Sequence, residues 1–187
     1  MDLGTARAQA ELIRSSLEGV CRRIEIAGSI RRKKAQVRDI DFVAIPRTIE
    51  RASQTLFGGP ETVSLIDGKL EALASAGRLS VVLNGEKLKR LKPPGSDLFV
   101  DLYVATDQNW ATLLLIRTGS REHNIYLCAL ARRLGMQLKA DGSGLFRDGK
   151  IVANETEESI FRALGLPYIS PESREVYQHS DSTLRQP

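Results

Sequence analysis

Apolar residues recur along the first half of the chain with two different periods. Over residues 5–19 and 64–76 they return every three or four positions, which is the spacing of one helix face. Elsewhere they alternate with polar residues or run together over short segments, as is typical of strands. These segments predict strands at 24–26, 39–45, 79–84 and 98–106.

The pattern changes after residue 106. Helical spacing returns over 108–116 and 120–134, and 139–152 is predicted to form short strands joined by glycine-rich turns. We therefore expect helices and strands to mix along the whole chain.

A capping-box pattern predicts one more helix near the end. Asn154 is followed three positions later by Glu157, and an apolar segment comes after them. Because the pattern of apolar and polar residues changes near residue 106, we predict a first domain at 1–106 and a second at 107–187. Residues 173–187 are expected to be a loose tail.

Composition and charge exclude several classes of protein. The 187 residues are 42% hydrophobic and 27% charged, as in globular domains. No apolar run approaches the roughly 20 residues that span a bilayer, and the N-terminus lacks a signal-peptide pattern. Cys21 and Cys128 match no metal or redox spacing, so we expect reduced thiols in an intracellular, cytoplasmic protein without membrane contact. The net charge of +4 is mild, but the cations are clustered.

One cluster lies in the segment AGSIRRKKAQVRDIDFVAI, at 27–45. In a strand, Asp39 and Asp41 project to one side while Ile40 and Phe42 point into the core. Carboxylates held side by side repel each other unless a cation lies between them, and magnesium prefers oxygen ligands. The D-x-D pattern alone is more typical of an exposed edge strand.

The residues before D-x-D change that interpretation. The Gly28-Ser29 turn offers close backbone approach, amide donors and a hydroxyl, which suit a phosphate group. Several cations follow the turn and surround the same place with positive charge: Arg31, Arg32, Lys33, Lys34 and Arg38. The combination favours a triphosphate and metal site over a solvated loop.

Asp101 supplies a third candidate carboxylate. It interrupts an otherwise apolar strand, where an unpaired buried carboxylate would cost several kcal/mol. It either faces solvent on a half-exposed strand or, if its strand lies beside that of Asp39, joins the other two. Three converging carboxylates would suit two divalent ions that activate a hydroxyl and stabilise a leaving phosphate.

Together these motifs resemble the catalytic core of family X DNA polymerases, the DNA polymerase beta-like branch of the nucleotidyltransferases. The resemblance begins near residue 3, covers nearly the whole chain and keeps the order of the motifs. They are AGSIRR, DID with Asp39 11 positions after Gly28, VDLYVAT with Asp101, RTGSREHN at 117–124, GLF at 144–146 and ETEESIFRALGLPYISPE at 155–172.

The resemblance implies a role for each matched residue. Asp39 and Asp41 would bridge two magnesium ions, for which manganese can substitute, and Asp101 would bind the catalytic ion and help deprotonate a primer 3′-hydroxyl. The remaining implied contacts are to the incoming nucleotide. They come from Gly28, Ser29 and Arg32 at the triphosphate, Gly119 and Ser120 in a tight turn beneath the sugar, and Asn124 at the base edge.

The resemblance also implies an α+β fold, with a palm at 1–106 built on a mixed β-sheet and flanking helices, plus a small α/β thumb at 107–187. Two positions depart from the family pattern. Ile116-Arg117 replaces an aromatic pair, and Phe99 replaces a basic residue that often precedes the third aspartate. Because Arg117 can swing aside or bond a 2′-hydroxyl, we expect weak discrimination between deoxyribo- and ribonucleotides.

Nucleic-acid contacts are predicted on the helix at 120–134 and on a lysine-rich segment. Leu127, Leu130, Ala131 and Leu134 are predicted to form the buried stripe of the helix, and His123 to be exposed or hydrogen-bonded. The candidate DNA-binding residues are Lys87 and Arg90 in a predicted basic loop, and Arg121 and Arg132 on the helix. Either set could instead be a solvated charged surface.

We therefore expect a template-directed DNA polymerase that acts in gap filling or repair. It would act as a monomer on primed or gapped DNA with an incoming nucleoside triphosphate. Two other hypotheses remain open, namely a nucleotidyltransferase with another acceptor and a catalytically idle nucleic-acid-binding module.

Overall fold

The computed structural model describes residues 1–51 and 59–175 of the chain. Its first part alternates helices and strands, beginning with a helix whose N-cap Asp2 Oδ1 accepts a hydrogen bond from Thr5 N at 2.9 Å. The elements are α1 (Leu3–Leu17), a 3₁₀ turn (Glu18–Val20), β1 (Cys21–Ile26), α2 (Gly28–Arg31), β2 (Asp39–Pro46), β3 (Thr48–Arg51), β4 (Glu61–Ser64), α3 (Leu65–Ser75), β5 (Ser80–Asn84), β6 (Leu88–Lys92) and β7 (Phe99–Val104).

The remaining elements are mainly helical. They are α4 (Trp110–Thr118), α5 (Arg121–Arg133), β8 (Gln137–Leu138), β9 (Leu145–Arg147), β10 (Lys150–Ala153), α6 (Glu157–Ala163) and a 3₁₀ turn (Pro171–Arg174). None of the helices within 1–51 and 59–175 is long and apolar enough to cross a membrane.

A mixed sheet organises the described residues. Five strands follow the order β1-β2-β7-β6-β5, in which β2 and β7 run parallel and the other neighbours are antiparallel. Smaller sheets join β8 with β9 and β10, and β3 with β4. The predicted α+β class with a mixed sheet is therefore confirmed.

Strand β2 is buried on both faces because helices cover the sheet from two sides. Ile40 and Phe42 pack with residues of α1 and α3, whereas Val43 and Ile45 pack with α4, α5 and α6. The predicted alternation holds, since Ile40 and Phe42 are fully buried while the aspartates between and before them retain exposure. The site aspartates thus lie on a strand that the core holds in place.

Two predictions about local structure were wrong. The lysine-rich segment forms strand β6 and not a loop, because its backbone pairs with β5 and β7. Leu134 is 41% exposed, since α5 ends before it. His123, which was predicted to be exposed or hydrogen-bonded, is buried and not exposed. It lies beside Phe161, with ring centroids 5.8 Å apart, and its burial lowers its pKa to about 4.

The end of the chain also differs from the prediction. The capping box of α6 is formed by Thr156 and Ser159, while Asn154 Nδ2 donates to Gln108 O at 3.0 Å. The predicted tail at 173–187 includes Arg174, which is fully buried and hydrogen-bonded, so residues 173–175 are anchored. The rest of that predicted tail lies outside the described residues.

Candidate active site

Asp41 and Asp101 lie side by side on neighbouring parallel strands. Their Cα atoms are register partners in the β2–β7 pair, and Asp39 lies two residues before Asp41 on the same side of β2. Asp101 is 4% exposed, Asp41 is partly buried and Asp39 is exposed. The sheet therefore gathers the three carboxylates predicted from the sequence at one place.

Their proximity has an electrostatic consequence at Asp41. Burial raises the pKa of this carboxyl to about 7, and repulsion from Asp39 and Asp101 adds to the increase. Arg32 and Arg117 oppose the increase through their positive charge. Two residues of the predicted nucleotide site are therefore close enough to affect the carboxylates.

The Gly28-Ser29 turn is packed against Asp41. Gly28 has φ +58°, and a Cβ added there would lie 2.0 Å from Asp41 Oδ2. The backbone confirms this proximity, since Ala27 N donates to Asp41 O at 2.8 Å. The Ser29 hydroxyl is buried without a hydrogen-bond partner among the described residues. Only glycine fits here, and the turn presents an unused hydroxyl beside the carboxylates.

Arg90 pairs with the third carboxylate. Its Nε donates to Asp101 Oδ1 and its Nη2 to Oδ2, both at 2.7 Å, across the antiparallel β6–β7 register. This pairing raises the pKa of Arg90 above its ordinary value. Arg90 is predicted from the sequence as a DNA contact, and its pair with Asp101 was not predicted. Recognising residues 88–92 as a strand beside β7 would have indicated the pair.

The cations that follow the Gly28-Ser29 turn have different hydrogen-bond partners. Arg31 turns inward and forms a bidentate pair with Glu157, with distances of 2.9 and 2.5 Å, and its Nη1 also donates to Thr118 Oγ1. Arg32 donates to Glu175 and to the Thr118 carbonyl. Arg31 thus joins distant parts of the chain, while Arg32 lies at the turn that follows α4.

Acidic residues of the 171–175 segment meet the other cations. Glu172 pairs with Lys33 at 2.9 Å and Glu175 with Lys34 at 3.0 Å, while Arg38, just before Asp39, is exposed. These pairs were not predictable from sequence, because their partners are remote along the chain.

The turn between α4 and α5 has an unusual backbone. Gly119 has φ +75° and the Gly119-Ser120 peptide bond is cis. Ser120 caps α5 by accepting from His123 N at 3.3 Å, and its hydroxyl donates to Arg174 O at 2.8 Å. A Cβ added at Gly119 would lie 3.0 Å from Arg32 Nη1. The turn is therefore in contact with Arg32, the residue predicted to bind the triphosphate.

Two further residues of the predicted nucleotide site lie on either side of this turn, Arg117 in α4 and Asn124 in α5. The Arg117 guanidinium stacks over the Tyr103 ring, 4.2 Å from its centroid, and Tyr103 lies two residues after Asp101 on β7. Asn124 Nδ2 donates to Ile116 O at 2.8 Å, which ties α5 to α4. The Arg117–Tyr103 contact was not predicted.

A groove of about 780 Å³ opens beside these residues. Several of its lining side chains are cationic and none is a carboxylate, so it suits an anionic ligand. The cations are Arg32, Arg117, Arg121, Arg132 and Lys139. The candidate DNA contacts of α5 therefore share one groove with part of the predicted nucleotide site, whereas Lys87 lies at the turn between β5 and β6.

Comparisons with known proteins agree with this arrangement. Residues 113–175 match the family model described as DNA polymerase beta thumb. The chain is 28% identical over 160 residues to the DNA polymerase/3′-5′ exonuclease PolX of Bacillus subtilis, covering 83% of this chain and 25% of that protein. It is 30% identical over 165 residues to rat DNA polymerase lambda, covering 79% of this chain and 28% of that protein.

A solved structure shows the same fold. A Leishmania infantum polymerase beta, in a structure described as a ternary P/T complex, matches with a TM-score of 0.72 and 20% identity. The match covers 93% of this chain and 76% of that one. The chain spans about a quarter of the length of the two sequence relatives. The thumb-model match, the two sequence relatives and the shared fold together support a family X DNA polymerase.

Proposed function

We propose that this chain catalyses template-directed addition of nucleotides to a DNA primer 3′-end. One observation carries the proposal, namely that Asp41 and Asp101 are register partners directly beside the Gly28-Ser29 turn. This arrangement combines carboxylates that can bind a cation with a backbone turn that can accept a phosphate. The similarity to family X DNA polymerases supports DNA as the substrate.

The residues at the site have the chemistry that divalent magnesium requires. Asp39, Asp41 and Asp101 offer oxygen ligands. Burial raises the pKa of Asp41 and repulsion from the other two carboxylates adds to the increase, and a nearby cation would relieve that repulsion. Within 1–51 and 59–175, however, no three acidic, histidine or cysteine side chains are already arranged to hold a metal ion. Bound magnesium or manganese would lower the barrier by stabilising charge on the attacking and leaving oxygens.

The protein itself would bind and orient the triphosphate. Ser29 has an unused hydroxyl, Gly28 allows close approach, and Arg32 and Arg38 supply positive charge near Asp39 and Asp41. Because Arg32 is already held by Glu175 and the Thr118 carbonyl, its guanidinium would present a fixed donor to the phosphate oxygens.

The sugar and base of the nucleotide would lie along the turn between α4 and α5. Gly119 and Ser120 form that turn, and Arg117 and Asn124 line the groove beside it. The Asn124 Nδ2 bond to Ile116 O orients its amide towards α4, so contact with the base would require the remaining amide donor or acceptor. Asp101, beside Asp41, would receive the proton of the primer hydroxyl.

The DNA backbone would be held mainly by cations of the groove. Arg121 and Arg132 are exposed on α5 and line it, while Lys87 is exposed at the β5–β6 turn. Such contacts neutralise phosphates without reading sequence, which suits a polymerase. We include gap filling or repair, action as a monomer, and a division into a palm at 1–106 and a thumb at 107–187 in this proposal.

Primer extension tests the proposal directly. The chain should extend a primed or gapped template in the presence of magnesium or manganese, and Asp101→Asn should reduce the rate by at least about a thousandfold while the fold is kept. Asp97→Asn removes an exposed carboxylate near β7 and is the matched control. If the chain extends a single strand or an RNA end faster than the primed DNA template, another acceptor is indicated. If it binds the template without incorporating nucleotides, an idle binding module is indicated.

A further inference from the structure

The ion pair between Arg90 and Asp101 involves both oxygens of a proposed metal ligand. The two 2.7 Å hydrogen bonds come from Nε and Nη2 of one guanidinium, so the carboxylate is held in a bidentate, planar arrangement. The Asp101 side chain is 5% exposed, whereas that of Arg90 is 44% exposed. The carboxylate is therefore fixed by the core, while its partner reaches it from the solvent side.

Such a pair limits what Asp101 can bind. In a bidentate pair the guanidinium approaches along the lone pairs that face it, and a divalent ion approaching from that side would meet a positive charge.

We propose that Arg90 is a positioning residue that competes with divalent ions for Asp101. Arg90 neutralises Asp101 and orients its carboxylate, and it must loosen its bond when an ion takes the same oxygens. This inference rests on the metal site of the proposed function, but it assigns Arg90 a role different from a DNA phosphate contact.

The surroundings of Arg90 allow such a release. The guanidinium lies over the exposed Phe99 ring, 5.5 Å from its centroid, so a second contact surface is present beside Asp101. Lys92, two residues further along β6, lies at the same 5.5 Å from that ring and forms no ion pair with Asp101. Lys92 therefore provides a matched control cation on the same strand.

Manganese binding measured by electron paramagnetic resonance of the free ion, without DNA or nucleotide, tests the inference. Arg90→Gln should bind manganese about tenfold more tightly than the unaltered chain, because one repelling and competing cation is removed. Lys92→Gln should stay within about twofold, since a screened charge further from the carboxylate matters little. Arg90→Lys keeps the charge but loses the planar fork, and an intermediate affinity is expected.

The double variant Arg90→Gln/Asp101→Asn separates competition at Asp101 from a general charge effect. The gain from Arg90→Gln should disappear when Asp101 is already neutral, as in a double-mutant cycle. Equal or weaker manganese binding by Arg90→Gln than by Lys92→Gln would overturn the inference. If Arg90→Gln does not fold, the manganese affinity of Arg90→Lys is compared with that of the unaltered chain. Equal affinities would then overturn the inference about Arg90.

The same measurements distinguish failure of the proposed function. Manganese binding by the unaltered chain that is unaffected by Asp41→Asn and Asp101→Asn would remove the metal site itself. Binding that depends on both aspartates but is unchanged in Arg90→Gln and Arg90→Lys would leave the metal site standing and reject only the role of Arg90.

Discussion

Arg31 and Glu157, 126 residues apart in sequence, form a bidentate ion pair that joins the start of the chain to α6. The same Glu157 Oε1 accepts from Arg174 Nη1 at 2.9 Å, and both Glu157 and Arg174 are buried. These hydrogen bonds hold the pKa of Glu157 below its ordinary value despite its burial. The three side chains form one connected charge network, which also reaches Thr118 at the end of α4.

The first prediction concerns this network. Glu157→Ala should lower the free energy of unfolding by about 3–5 kcal/mol, because it leaves buried Arg174 without its carboxylate partner. Glu158→Ala changes the exposed neighbour and should have an effect within about 0.5 kcal/mol. Urea unfolding followed by circular dichroism measures both variants. A similar small effect from both would show that Arg174 finds compensation elsewhere.

The second prediction concerns the pH dependence of stability. Folded Asp41 has a pKa of about 7, whereas the unfolded carboxyl titrates near about 3.9. Between these values the folded chain binds more protons than the unfolded chain, so the free energy of unfolding falls as pH rises. With EDTA present, Asp41→Asn should remove much of this decline. At pH 8 the free energy of unfolding of the variant should exceed that of the unaltered chain by about 1–3 kcal/mol.

Urea unfolding at several pH values between 5 and 8 measures this effect, with Asp97→Asn as the exposed control. Divalent ions should restore stability to the unaltered chain at pH 8 and have less effect on Asp41→Asn, because the ion binds the ionised carboxylate. Parallel pH profiles for the unaltered chain and Asp41→Asn would contradict the prediction.

The third prediction concerns the groove cations. Each of Arg121→Gln and Arg132→Gln should reduce the slope of log affinity for duplex DNA against log salt by about one unit. Arg133→Gln, an exposed neighbour outside the groove lining, should leave the slope unchanged. Fluorescence anisotropy between about 50 and 200 mM salt measures the slopes. Equal slopes for Arg132→Gln and Arg133→Gln would place the DNA elsewhere.

The fourth prediction concerns the sugar of the nucleotide. Because Arg117 stacks on Tyr103 and lines the groove, we expect a preference for deoxyribonucleotides of only about a hundredfold. Arg117→Phe should increase this preference by placing a flat ring at the same position. The ratio of kcat/KM values for matched nucleotides on one primed template is the measurement. A preference beyond a thousandfold in the unaltered chain, which is more than about 4 kcal/mol, would show that the Gly119-Ser120 backbone suffices.

Several features of this protein were predictable from sequence because they depend on neighbours along the chain. The alternation of Ile40 and Phe42 with the aspartates follows from the two-residue period of a strand, and Gly28 follows from the close approach that a phosphate turn requires. The mixing of helices and strands followed from the change between helical and strand spacing, whereas the α+β class was implied by the resemblance to family X polymerases.

The tertiary structure decided what joins distant segments. Arg90 is predicted to lie in a basic loop, yet β6 pairs with β7 and brings its guanidinium to Asp101. Arg174 was assigned to a tail, yet Glu157 and the rings around it bury its charge. Strand register and ion pairing between remote segments depend on which surfaces the core brings together, and a local pattern of residues does not contain that information.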